Sequence, residues 1–103
     1  MSIKKKSDAM KFLEKLSGGP LTFGKMMRSI RMGEEATLKD YSDLLDVSVQ
    51  HLSDIENNRR VVSPERAAKF AKLLGYHEAQ FVEMAIQEQL NHVGLEKFKV
   101  NVS

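Results

Sequence analysis

His51, His77 and His92 are the side chains best suited to bind a metal or pass a proton, and they lie far apart in the chain. Glu88 and His92 stand at i, i+4, on one face of a helix, but two ligands without a third make a surface pair rather than a metal site. Serines, histidines and aspartates are all present, yet no spacing among them sets a nucleophile beside its base. A helical chain of 103 residues also leaves little room for a substrate cleft. Cysteine is absent, which removes disulfides, thiolate zinc sites and cysteine nucleophiles together and fits a reducing cytoplasm. Gly18-Gly19 reads as a turn rather than a phosphate loop, because no Lys-Ser/Thr follows it after a strand. Six methionines are read as filling a small core. The chemistry expected of the chain is therefore recognition: not an enzyme, with no catalytic residue, metal ligand or cofactor.

Charge carries more information once it is divided along the chain. Sixteen Lys and Arg against fourteen Asp and Glu give a net +2, which names no partner. Residues 1–33 hold eight basic and two acidic residues, a net +6. Residues 37–60 hold Lys39, Arg59 and Arg60 against Asp40, Asp43, Asp46, Asp54 and Glu56, a net −2, and residues 77–103 are also −2. A hydrophobic content of 42% suffices for one core. No run approaches the ~18 apolar residues of a membrane span, and the first residues lack a signal-peptide core.

The elements that must position any site are helices. Ser7 and Asp8 open one whose apolar side holds Phe12, Leu13 and Leu16, and Ser17-Gly18-Gly19-Pro20 ends it. Thr22 caps a second, with Phe23, Met27 and Ile30 inward and Gly33 at its end. Thr37-Leu-Lys-Asp40 forms a capping box for a short helix that stops at Asp46-Val47-Ser48. Ser48 caps the next, which buries Leu52 and Ile55 and stops at Asn57-Asn58. Ser63-Pro64-Glu65 starts a helix packing Ala67, Phe70, Ala71 and Leu74, closed by Gly75. A last helix runs from about His77 to Asn91, with Phe81, Met84, Ala85 and Glu88 along one stripe. Residues 98–102 alternate with period two and predict a strand, which must pair with something; a second copy of the chain is the cheapest partner.

Two short helices joined by Asp46-Val47-Ser48, within TLKDYSDLLDVSVQHLSDIENNRR at residues 37–60, resemble the helix-turn-helix of the Cro/phage-repressor (xenobiotic-response-element) family. The resemblance covers about residues 22–76. It implies an all-α, five-helix repressor-like domain, here with an extra N-terminal helix and a short C-terminal strand. The expected division is 1–20 (basic segment and helix), 21–92 (helix-turn-helix domain) and 93–103 (strand, for dimerisation). In such a fold Ser42 is the small residue where two helices cross, Asp46 takes the turn position usually held by glycine, and Val47, Leu52 and Ile55 are buried. Arg31 and Glu56 match positions that form a partly buried ion pair. The resemblance places Val49, Gln50, Ser53 and Asp54 on the base-reading face, with His51 on its flank. Gln suits adenine, a carboxylate accepts from cytosine, and valine meets the thymine methyl. Lys39, Ser48, Arg59 and Arg60 are the implied phosphate contacts. Many relatives carry Gln at the position of Leu38, where it contacts a phosphate; leucine cannot.

The function this implies is a cytoplasmic, sequence-specific DNA-binding transcriptional regulator, a repressor acting as a homodimer on a palindromic operator in double-stranded DNA, with no membrane partner. The alternative is the antitoxin of a toxin–antitoxin pair, in which residues 1–20 or 95–103 bind a toxin protein while the chain represses its own operon.

Overall fold

The computed structural model describes residues 21–102, so the helix expected at residues 8–16 lies outside the described residues. Five helices follow one another: α1 (Phe23–Gly33), α2 (Leu38–Leu45), α3 (Val49–Glu56), α4 (Pro64–Leu74) and α5 (Glu78–His92). Four of the five start on a hydroxyl cap. Thr22 accepts from Lys25 N–H, Thr37 from Asp40, Ser48 from His51 and Ser63 from Arg66, each cap contributing about 1 kcal/mol. α5 begins at His77 without a side-chain cap and has Glu78 in its first turn instead.

The apolar stripes of these helices converge on one core, in which Met27, Leu52, Ile55, Phe70, Phe81, Ala67, Ala71 and Ala85 are fully buried. α4 and α5 pack most extensively, and α3 sits against both α1 and α2. Phe23 meets Phe81 edge-on with ring centroids 5.8 Å apart, and Tyr76 stacks on Phe81 at 6.0 Å. The Glu88 carboxylate accepts from the Phe23 N–H, so α5 holds the start of α1; burial pushes that carboxyl above its ordinary range. Met26 and Met27 are core residues, whereas Met32 is exposed.

α1 ends at Gly33, as expected, with Glu34 as its cap and Glu35 in the left-handed region at φ 56°. Two local expectations need correction. Val47 is half-buried, packed against the edge of the core rather than inside it. The C-terminal strand is absent among the described residues. The tail lies along α5, and that helix satisfies its backbone. The Gln87 amide donates to Phe98 O and accepts from Val100 N–H, both at 2.9 Å, and Glu83 accepts from Val102 N–H at 3.0 Å. Gln87 and Glu83 are one helical turn apart, ~6 Å. Two extended residues span ~6.6 Å. The period-two alternation thus matches a helix repeat, with no sheet edge needed.

Gly24 is a position the sequence alone does not single out. A Cβ there would lie 2.2 Å from Ile55 O and 3.0 Å from Glu56 O, both backbone atoms of α3. The start of α1 therefore approaches the end of α3 to a distance only glycine permits, and Thr22 Oγ1 donates to Asn58 Oδ1 at 2.8 Å across the same contact. Gly24→Ala is expected to destabilise by about 2–3 kcal/mol, because backbone cannot yield as a side chain can. Gly33→Ala, whose Cβ meets nothing, is expected to stabilise by up to about 1 kcal/mol. Denaturant unfolding of the two variants checks the opposite signs.

Candidate nucleic-acid interface

The central unit is α2, a three-residue turn and α3. Thr37 and Asp40 cap each other's backbone N–H groups at 3.0 Å, which defines where α2 starts. Asp46 ends it in the left-handed region, φ 58° and ψ 48°, and Val47 N–H reaches back to Ser42 O at 3.0 Å. An aspartate there costs more than glycine would, but its backbone allows the sharp reversal. Ser42 is buried, its hydroxyl donating to Lys39 O at 2.9 Å, so a small side chain occupies the crossing without leaving a polar group unsatisfied. α3 closes at Asn57, and Asn58 takes the left-handed region at φ 62°.

With Leu52, Ile55 and Glu56 inward, the opposite face of α3 presents Val49, Gln50, Ser53 and Asp54 together. Val49 is 40% exposed. These residues are not independent. Gln50 Nε2 donates to Asp54 Oδ1 at 2.9 Å, and Arg59 donates to the same oxygen from Nε at 3.1 Å. The Gln50 amide, with Arg59 behind it, holds the Asp54 carboxyl below its ordinary range. Asn57 Nδ2 donates to Ser53 O at 2.8 Å, steadying the end of the face.

The four residues assigned to phosphates take different surroundings. Lys39 pairs with Asp43 at 2.9 Å, but both side chains are mostly exposed, so the pair is weak and easily exchanged for another anion. Ser48 spends its hydroxyl on capping α3. Arg59 leans on Asp54, and Arg60 lines a cleft of about 210 Å³ with His51, Val61, Val62, Ser63 and Arg66. Arg66 and His51 were not among the sequence-derived contacts. Arg66 donates to His51 Nε2 at 3.3 Å, and burial, then Arg60 and Arg66, hold the imidazole below its ordinary titration range. The cleft joins two arginines and a histidine at the start of α4, an arrangement suited to an anion. Only the fold brings residue 51 to residue 66.

Beneath this surface Arg31 and Glu56 meet in a bidentate pair, Nε to Oε2 at 2.8 Å and a terminal nitrogen to Oε1 at 2.9 Å. The remaining Arg31 nitrogen donates to Ala36 O at 2.9 Å. Glu56 is 6% exposed, and its carboxylate raises the affinity of Arg31 for its proton. A second carboxylate, Glu34, accepts from the Tyr41 hydroxyl and, at 3.4 Å, from Tyr76. Burial, then Glu34, push the Tyr41 hydroxyl pKa upward, so it stays a donor. Glu56→Ala is expected to cost about 3 kcal/mol, since it strands a guanidinium inside the fold. Exposed Lys69→Ala should stay within about 0.5 kcal/mol. Thermal and urea unfolding distinguish the two; equal shifts would remove the pair from its structural role.

Among the described residues no group of histidines and acids could hold a metal ion, and no helix is long and apolar enough to cross a membrane. The sequence model of the helix-turn-helix family matches residues 27–81, from the middle of α1 into the first turn of α5. No curated protein and no solved structure matches the chain. The matched span holds the whole α2–turn–α3 unit, its ion pair and its exposed polar face. The chain therefore belongs to the helix-turn-helix family of the Cro and phage-repressor type, a family of DNA-binding transcriptional regulators and not of enzymes.

Proposed function

We propose that the chain is a cytoplasmic repressor that binds a palindromic operator as a homodimer, with Val49, Gln50, Ser53 and Asp54 against base edges. The observation that carries this reading is the exposed α3 face bordered by Arg59, Arg60 and the His51–Arg66 cleft. Base-edge donors and acceptors lie in the centre and cations at the margin, as a groove flanked by phosphates requires. Asp54 Oδ1 already carries Gln50 and Arg59, so Asp54 orients the glutamine as well as offering its second oxygen to cytosine. Lys39, Ser48, Arg59 and Arg60 are the phosphate contacts, joined by Arg66 and His51.

Dimerisation is supported by the surface and by electrostatics. Val93, Leu95 and Phe98 are 68%, 39% and 54% exposed, an apolar row at the end of α5 and in the tail that a second copy would cover. The unit at residues 37–60 has a net charge of −2, so one copy gains little from counterion release. Two linked copies place their reading helices in successive major grooves about 34 Å apart. The same apolar row favours a second reading, an antitoxin that offers it to a toxin protein. Sedimentation of the full chain and of a chain ending at residue 94 separates these. Loss of the dimer on truncation supports the homodimer, and a monomeric full chain overturns it.

Selection from a random duplex pool followed by titration tests the reading face. Gln50→Ala is expected to lose ~1–3 kcal/mol of discrimination at one base pair. Asp54→Ala should tighten binding to the random duplex, since it removes a negative charge beside phosphates, while relaxing preference for the operator at its own position. If Gln50→Ala and Arg59→Ala both leave binding unchanged, α3 is not the reader.

Binding should also strengthen as pH falls. The His51 imidazole, held below its ordinary range in the free protein, gains a proton when a phosphate enters its cleft. Affinity should rise as pH falls through the imidazole's titration range in the complex, and His51→Gln should flatten that rise. In the free fold the sign is opposite. A lowered histidine pKa means that the unfolded chain protonates first, so the stability is present above the unfolded value and is lost as pH falls.

A further inference from the structure

We propose that Arg28 holds a DNA backbone phosphate at the mouth of the cleft between α1, α2 and α3, supplying from α1 the contact that Leu38 at the start of α2 cannot make. This rests on the DNA-reading function proposed above and adds a site to it.

The cleft has a volume of about 160 Å³ and is lined by Arg28, Arg31, Leu38, Ser53, Glu56 and Asn57. Two of these, Ser53 and Asn57, belong to the second half of the reading helix and the residue that ends it, and Leu38 is the first residue of α2. A nucleic-acid backbone that flanks α3 passes this opening. Its charges do not cancel. Arg31 and Glu56 neutralise each other through two hydrogen bonds, and the third Arg31 nitrogen is held by Ala36 O, so neither has capacity for an incoming anion. Arg28 is exposed and makes no hydrogen bond or ion pair with another described residue, so among the described residues the cleft carries one net positive charge.

Helical spacing aims that charge. Residues three apart share a helix face, and the Arg31–Glu56 pair fixes that face of α1 toward α3. A guanidinium presents a planar fork of donors that matches two phosphate oxygens and reaches farther than a glutamine would. Leu38, half-buried against the core, contributes apolar packing at the α2 start and has no donor in its side chain. A phosphate at this opening therefore meets its donor on α1, across the cleft from Leu38.

The test is titration of the full chain with its selected operator and with a random duplex over a range of salt concentrations, alongside thermal unfolding. Arg28→Ala is expected to weaken binding ~3–10-fold on both duplexes and to make the log K against log salt slope less steep by about 0.9, one phosphate. Its melting temperature should not change. Arg28→Lys should keep most of the slope, and Leu38→Gln added to Arg28→Ala should restore it. Failure of that restoration would put Arg28 on another phosphate and overturn the replacement. Unchanged affinity and slope in Arg28→Ala, with both altered in Arg59→Ala, would overturn the Arg28 contact and leave the DNA reading standing. A wild-type chain that binds neither duplex would overturn both.

Discussion

The placement of α3 depends on its attachment to α1. That attachment has two unlike ends. At one, Gly24 lets the backbone of α1 come against the carbonyls of Ile55 and Glu56, closer than any Cβ would allow. At the other, Arg31 grips Glu56 with two hydrogen bonds and reaches Ala36 O with a third. The carboxylate pays its desolvation only because both oxygens are taken, and the guanidinium also fixes the loop that leads into α2. An eight-residue helix has too few turns to hold its own orientation by propensity. The glycine contact and the ion pair do that, and Leu52 and Ile55 seal the space between.

Once α3 is held, its outer face is free to be polar, and the chain uses that face economically. Asp54 serves Gln50 and Arg59 from one oxygen, so an exposed amide, the carboxylate that orients it and a cation form one network. The network tempers a unit with a net charge of −2, because Arg59 offsets Asp54 where they meet. Positive charge enters from outside it: Arg66 from α4 beside His51, and Arg28 from α1 beside Leu38. The proposed contacts are therefore spread over four helices, although two of them bear the recognisable motif.

Much of the architecture was legible because its signals are local. Thr37 with Asp40, Ser48, and Ser63-Pro64 mark helix starts through bonds made within three residues, and these do not depend on the rest of the fold. The tail misled for the opposite reason. Alternation at residues 98–102 is a property of extended backbone and is silent about what accepts its hydrogen bonds. Side chains of Gln87 and Glu83 accept them here, and no window of sequence shows a helix side chain standing in for a neighbouring strand. α1 does end at Gly33, but the left-handed residue is Glu35, where Ala36 N–H bonds back to Arg31 O.

By itself the sequence determined the helix starts, the polar stripe of α3, the uneven charge and the absence of cysteine chemistry, because each follows from residue type and near spacing. Tertiary structure decided what those residues meet. It brought His51 to Arg66 and Arg28 to Leu38 and Ser53, it set Tyr41 and Tyr76 on Glu34, and it laid the tail along α5. These contacts join residues from different helices, and their distances depend on how closely the helices pack, which no single segment encodes.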